Sequence, residues 1–473
     1  MSISHFAGAG GDKDKLDRQR LAGQPIPGVH DPIGLHNKPK FDWKTWLLDN
    51  IVTLIFWVFI ILGFVLAKGV TINWFLTELC NRIYRNAFLV LALIIPVVAG
   101  LGLNFGIVVG AMAGQLAVVF VRYHDIGGFG GFMLCMALAL PIAVLCGWLT
   151  GTLYNKTRGQ EMIASLIVGY FGNGVYMFIV LFLIGAVIPV QAGHPMLLPG
   201  DVGLRMTVDM GTIKYALEDL VKVKFAPFMT GCGALAFVAL LWNQFVRKLK
   251  PGQQRMNKFK FAVYSVLSLG VAVLFLVATI TGNALTMVRK VPLGTVAMIV
   301  LLAVFTKWIM TTKLGQDFRS CGQNQHIAES NGINVDRTRI VATIISTVLA
   351  AWGMIIYLQN IGTLNVYTAH TQIGFFAVAA VLVGGASVSK ATVSQALMGT
   401  ILFQSMFILS PEIGQAVFGQ AILGEYFRTF MVYGVIGLAL GLYVWKANKQ
   451  SKLRLDDPED PMDKTVAEVV SGK

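Results

Sequence analysis

The chain has 473 residues, of which 55% are hydrophobic and only 13% charged, with 50 glycines and a formal charge of +14. A soluble domain carries about 25% charged residues, so this composition excludes a water-facing surface and reads as an integral membrane protein. The five cysteines show neither C-x-x-C nor metal-ligand spacing and the seven histidines are scattered, so no metal site is read.

Residues 1–46 form a polar tail carrying Lys13, Lys15, Arg18, Arg20, Lys38, Lys40 and Lys44, with no removable signal peptide behind it. Twelve apolar runs come after it, at about 50–67, 87–103, 105–121, 131–151, 162–188, 227–246, 260–281, 294–312, 338–357, 371–386, 392–409 and 427–445. A span takes roughly 20 apolar residues, and such uncharged lengths predict helices rather than the alternating strands of a barrel. The expected fold is therefore an all-α polytopic membrane protein of about 10–12 transmembrane helices. A transmembrane domain covers 47–446, and a cytoplasmic tail at 447–473 contains the acidic, proline-broken stretch Asp456–Pro461. The one sizeable outer segment is 189–226.

With the N-terminus inside, 27 of the 38 Lys and Arg residues fall in inner segments and 11 in outer ones. This positive-inside bias places both termini in the cytoplasm and the chain in the cytoplasmic (inner) membrane. Arg247–Lys260 contributes most sharply, with six basic residues. The net charge thus reflects topology and anionic headgroups, with no nucleic-acid partner.

The spans lack the groups that drive transport. Glu161, Lys260, Lys307, Arg339 and Arg428 are expected at membrane edges within reach of headgroups, leaving the central stretches almost free of charge. That disfavours a proton-driven carrier, while sodium sites built from backbone carbonyls stay open. No G-x-x-x-x-G-K-[S/T] phosphate loop occurs; the only Gly-Lys is Gly472-Lys473. The chain reads as no enzyme: either a passive path or one driven by another subunit.

Two apolar pairs are separated by almost nothing, at Leu101–Asn104 and Ala386–Ala391. One glycine-interrupted segment in each half predicts internal repeats whose broken helices line a midplane site. Pathway candidates are the uncharged Asn104, Gln115, Asn173, Gln372 and Ser387, with Gly384 and Gly385, and with Tyr170 and Phe171 as apolar faces. Amides that bridge helices are the alternative. Gly147-x-x-x-Gly151 and Gly437-x-x-x-Gly441 read as helix-packing contacts. Gly110-x-x-x-Gly114 fits the same pattern, but the segment Gly102–Gly114, like Gly384–Ser387, is expected to line the path.

In the cytoplasmic stretch 313–335 a short helix is expected at Asn324–Ser330, isolated as a rigid knob between Gly322 and Gly332. Gly315 through Val335 fits G-x-x-x-R-x-x-G-x-N-x-x-x-A-x-x-x-G-I-x-V. It resembles the coupling segment of ABC-importer permeases of the ribose, galactose, nucleoside and branched-chain amino acid group. Residues 101–115 are similar to that family's G-G-I-D-L-S-V-G motif, departing at Leu101, Asn104, Gly106 and Val108. Val383–Lys390 matches the opening of its G-G-x-S.

The resemblance covers about 87–445 and implies the permease subunit of an ATP-driven importer, with two permease subunits (a second copy or a paralogue) forming the pathway. An ABC ATPase subunit would grip Gly315, Arg319, Gly322, Asn324, Ala328, Gly332 and Ile333, with Ala328 and Ile333 at the contact. ATP would bind to that partner, and the chain would hold no cofactor. An extracytoplasmic solute-binding protein would deliver a small polar solute. A simple sugar or nucleoside is favoured; the alternatives are a secondary carrier or an importer of branched-chain amino acids. The family norm of about ten spans leaves two extra helices or a re-entrant pair among the twelve runs.

Overall fold

The computed structural model describes residues 43–67, 69–191, 193–194, 196–246 and 258–455. The expectations for residues 1–42, for most of the basic loop and for the acidic stretch 456–461 lie outside them. The chain divides into two compact units, Met1–Asn50 and Ile51–Lys473. Of the first, only the opening of a helix is described, and all the other elements belong to the second.

Every apolar run falls on a helix. In chain order these are α1 (Trp43–Leu66), α2 (Ile72–Ala92), α3 (Ile94–Val98), α4 (Ile107–Tyr123), α5 (Gly128–Lys156) and α6 (Glu161–Phe178). The series continues with α7 (Phe225–Leu241), α8 (Lys258–Thr281), α9 (Leu293–Ile309), α10 (Lys313–Gln323), α11 (Gln325–Ser330) and α12 (Val335–Ile361). It closes with α13 (Ile373–Val383), α14 (Val393–Phe418) and α15 (Ala421–Leu455). A π turn, Ile179–Leu183, carries α6 on to Ala186.

Among the described residues 8 helices are long and apolar enough to cross a membrane, α2 and α3 together counting as one. There are 9 if α9 and α10, bent by 75°, form one span. Asn50–Leu66, α4 and α13 are apolar but shorter. The protein is an all-α, multi-pass membrane protein.

The stretch between α6 and α7 is folded rather than a plain loop. Its strand β1 (Thr207–Asp209) pairs antiparallel with β4 (Thr363–Asn365), and β2 (Lys222–Val223) pairs with β3 (Val291–Pro292). Arg122 at the end of α4 donates to the Asp209 carbonyl at 2.9 Å, which fixes this cap over the end of the helices opposite 313–335.

The long helix α12 is the central post, packed against α2, α4 and α5. Glycines let backbones meet there. A Cβ at Gly147 or Gly151 of α5 would stand 2.8 Å from the Ile344 Cα or 3.0 Å from the Ile340 Cα. Gly110 and Gly114 of α4 face α12 as well, against Ala350 and the Ala351 carbonyl, so they pack helices instead of lining a path. Gly437 and Gly441 differ: among the described residues nothing lies within 4 Å of where their Cβ atoms would be, so the packing expected of them is not made by those residues.

Two charged stretches depart from the sequence reading. The second helix starts at Ile72, well before the apolar run, and so includes Glu78, Arg82 and Arg85. They are tolerated because Arg82 donates to Glu78 one turn away at 2.8 Å and Arg85 lies 3.7 Å from the same carboxylate. Arg339 does not reach out to headgroups either. It is 0% exposed and paired with Glu161 at 2.5 Å, because a buried guanidinium is tolerated when a carboxylate neutralises it, although its Nε has no partner among the described residues.

Candidate functional site

The segment 313–335 is built by local chemistry that accounts for each residue of its motif. Thr312 caps α10 by accepting the Gly315 N–H at 3.4 Å. Gly315 itself lies where a Cβ would stand 2.8 Å from the Met310 carbonyl carbon, so a side chain would prop open the sharp bend after α9. Arg319 reaches back to donate to the Met310 carbonyl. Asn324 is extended and caps α11, its Oδ1 accepting the N–H groups of His326 and Ile327 at 3.0 and 3.2 Å.

The helix ends in a Schellman turn. The Gly332 N–H donates to the Glu329 carbonyl at 2.9 Å and the Ile333 N–H to the Ala328 carbonyl at 3.0 Å, with Gly332 left-handed at φ +79°. Ile333 packs on Ala328, Cys321 and Val335, the apolar contact that accompanies this cap. Ala328 is 1% exposed and faces the knob's own interior. Its smallness lets the cap close, and the exposed apolar side chain of α11 is Ile327, at 59%.

The knob is tied to the membrane helices from beneath. Besides Glu161, the Arg339 guanidinium donates to the Tyr154 carbonyl at 3.3 Å and lies 3.5 Å from the Gln325 amide oxygen. At the rim, Arg158 bridges Glu329 at 3.0 Å and Asp336 at 2.7 Å. Tyr154, wholly buried, sends its hydroxyl to the Asn104 Oδ1 at 2.8 Å.

Asn104 sits in the first helix break, 99–106, and its Oδ1 also accepts the Gly106 N–H at 2.9 Å. Ser165 accepts the next N–H, that of Phe105, at 3.2 Å. Asn104 therefore shapes the break from inside. Gly102, left-handed at φ +67°, faces Met162 and Val388, which brings the second break, 384–392, against the first.

In that second break the Gly385 carbonyl accepts from Gln395 at 2.8 Å, Ser387 accepts the Lys390 N–H at 3.0 Å, and Gly384 packs on Gly399. Gly100 meets Gly322: a Cβ there would stand 2.7 Å from the Gly322 Cα. Both breaks thus lie at the end of the helices that carries 313–335, where Met162 is the second residue of α6, and not midway along the spans. The apolar runs show where a helix stops, but they do not show which neighbouring helix ends lie level with it.

The other candidates scatter. Gln115 is wholly buried against the α4 packing face, and neither amide atom has a partner among the described residues. Tyr170 and Phe171 point outward, 69% and 73% exposed. Asn173 accepts from His370 Nε2 at 2.7 Å, beside a small notch of about 60 Å³ closed by Phe105, Phe375 and Tyr170. His370, buried against the Tyr176 ring, is a polar residue that the sequence reading does not single out. Its place just ahead of an apolar run is the available signal.

A cavity roomier than this notch lies on the other face of α13, toward the capped end. It has about 290 Å³ between α2, α12, α13 and α14, and its polar lining includes Asn86, Tyr357, Asn365, Gln372 and Gln404. No charged side chain lines it. Gln372 is among the pathway candidates, and the structure brings it together with Gln404, an amide hidden inside an apolar run.

Against known proteins, residues 208–440, about half the chain, match the family described as Branched-chain amino acid transport system / permease component. The chain is 37% identical over 97 residues to the Probable ABC transporter permease protein YphD of Escherichia coli (strain K12), covering 20% of this chain and 29% of that protein. It is 34% identical over 97 residues to the Autoinducer 2 import system permease protein LsrC of Klebsiella pneumoniae, covering 20% and 27%. The match thus spans less than a third of either relative. No solved structure matches.

Proposed function

We propose that this chain, which belongs to that permease family, is the membrane-spanning subunit of an ABC importer for a small polar solute. The carrying observation is the knob at 313–335: a six-residue helix capped at both ends, pinned by a buried ion pair, and presenting Ile327 outward. A surface stiffened in this way suits a partner that pushes. The partner would be an ABC ATPase, which would bind and hydrolyse ATP, leaving this chain without catalytic chemistry or a cofactor.

The bias of Lys and Arg toward the inner segments supports a cytoplasmic position for this end and for both termini, in the cytoplasmic (inner) membrane. A solute-binding protein would then meet the capped end, and a second permease subunit, identical or paralogous, would complete the transporter. Uncharged amides in the 290 Å³ cavity favour a sugar or nucleoside over a zwitterionic amino acid.

Ile327→Arg tests the docking role, because its side chain lies outside the packed core. The variant should reach the membrane in normal amount and unfold at the same temperature, yet lose ATPase co-purification and solute uptake. Normal uptake with the ATPase bound would remove the knob from the coupling role.

A further inference from the structure

We propose that the cavity between α2, α12, α13 and α14 is a solute station contained within one protomer, taking a neutral polyhydroxylated molecule about the size of one sugar ring. The proposal rests on the importer reading and adds the place and class of its ligand. At about 290 Å³ the space is near the lower end of small-molecule sites.

Its polar groups are of mixed hydrogen-bonding sense. Asn86 uses its Nδ2 on the Arg82 carbonyl at 2.8 Å, which leaves Oδ1 as an acceptor. Asn365 uses its Oδ1 on the Thr368 N–H at 3.2 Å, which leaves its Nδ2 to donate. Gln404 is 5% exposed, lines the cavity, and has no hydrogen-bond partner for its amide among the described residues. An amide lining the cavity and not engaged by the described residues offers both a donor and an acceptor to whatever enters.

Hydroxyls both donate and accept and match this set, whereas a carboxylate or ammonium would find no opposite charge in the lining. Arg82 and Arg85, the cations of α2 on this side, both lie beside the Glu78 carboxylate, at 2.8 and 3.7 Å, and neither lines the cavity; Arg82 lies over the Phe407 ring. Phe376 supplies an aromatic surface within the same cavity, backed by Phe403 and Phe407.

The location fits a station. Thr363 and Asn365, at the cavity's edge, belong to the strand that the cap holds. From the cavity α13 runs 11 residues to the break at 384–392, about 16 Å at 1.5 Å per residue. A solute in the cavity would touch the head of the helix whose foot forms one of the two facing breaks.

The test uses the full chain in the assembled transporter and the uptake of labelled D-ribose, D-galactose, uridine and L-leucine. Wild type should carry at least one of the first three. Gln404→Met, which keeps the volume and removes the amide, should lower that uptake by about tenfold, the size of one lost hydrogen bond to the solute. Gln372→Leu, at an exposed position, should lower it similarly, and both variants should keep normal abundance and ATPase co-purification. Wild-type rates in both variants would overturn the station and leave the importer reading standing. Uptake of L-leucine alone, or of none of the four, would overturn the solute class. A wild-type chain that neither retains an ATPase nor transports would overturn the importer reading, and the station with it.

Discussion

In the knob at 313–335 the motif's polar groups are paired: Asn324 with two N–H groups, Arg319 with a carbonyl, and Arg339 beneath with Glu161. In the cavity at the opposite end Gln404 is buried without a partner among the described residues, and Asn86 and Asn365 each keep half of an amide free. The contrast separates two tasks. At the knob the paired groups hold a shape through which force can pass, and at the cavity the free amide groups face a space that a ligand can enter. Between them stand the two helix breaks, one touching the knob at Gly100–Gly322 and the other reached through α13.

The hardest blow to the paired end should be Arg339→Met. It leaves Glu161 without its cation in a largely buried place, at a cost of about 3–5 kcal/mol, read as a lower unfolding temperature in detergent. The double variant Arg339→Met/Glu161→Gln should recover much of the loss. If the single variant proves as stable as wild type, the ion pair does not hold the knob.

Next comes Gly332→Val. A β-branched residue in the left-handed region costs about 1–2 kcal/mol and breaks the Schellman turn. The knob should loosen and ATPase retention fall, while the membrane helices unfold at an unchanged temperature. Full retention would show that the partner does not need the capped shape.

Asn104→Leu probes the middle of the comparison. It strips the acceptor from the Gly106 N–H and the Tyr154 hydroxyl, a loss of about 1–3 kcal/mol. Uptake per folded molecule should stay near wild type at a permissive temperature if the Asn104 oxygen, taken by the Gly106 N–H and the Tyr154 hydroxyl, serves only to shape the break. A stable variant with lost uptake would return Asn104 to the pathway.

The smallest effect concerns the capped end. Burial pushes the Glu218 carboxyl above its ordinary value, against the Asn360 amide and the Arg289 and Lys222 charges that lower it. A carboxyl with a raised folded pKa costs nothing while both states are protonated. The cost grows as pH rises through the unfolded value and levels off above the folded one. Glu218→Gln should therefore raise the unfolding temperature at about pH 7, with the gain fading toward about pH 4. A gain that persisted unchanged at low pH would point to packing instead of charge.

Much of the knob is legible in the sequence because its bonds are local. Asn324 to Ile327, Glu329 to Gly332 and Ala328 to Ile333 are spaced by three to five residues, so the motif and the shape are nearly the same statement. Even there the inward turn of Ala328 is not legible, since which face of a one-turn helix meets its own base depends on Cys321 and Val335. The helix breaks are legible as interruptions. Their level along the spans, and the structural role of Asn104, depend on Tyr154 and Ser165 in other helices.

Hydropathy and hydrogen bonds between near neighbours suffice for the class of the molecule, the positions of its apolar helices, the two breaks and the folding of the knob. Which polar residues meet is settled only when the helices pack. Arg339 and Glu161 are 178 residues apart, and Asn173 and His370 are 197 apart. Asn86, Gln372 and Gln404 come from three separate parts of the chain. Such pairings are chosen by which helix faces pack together, and one apolar helix face attracts another without regard to the polar residues it carries along.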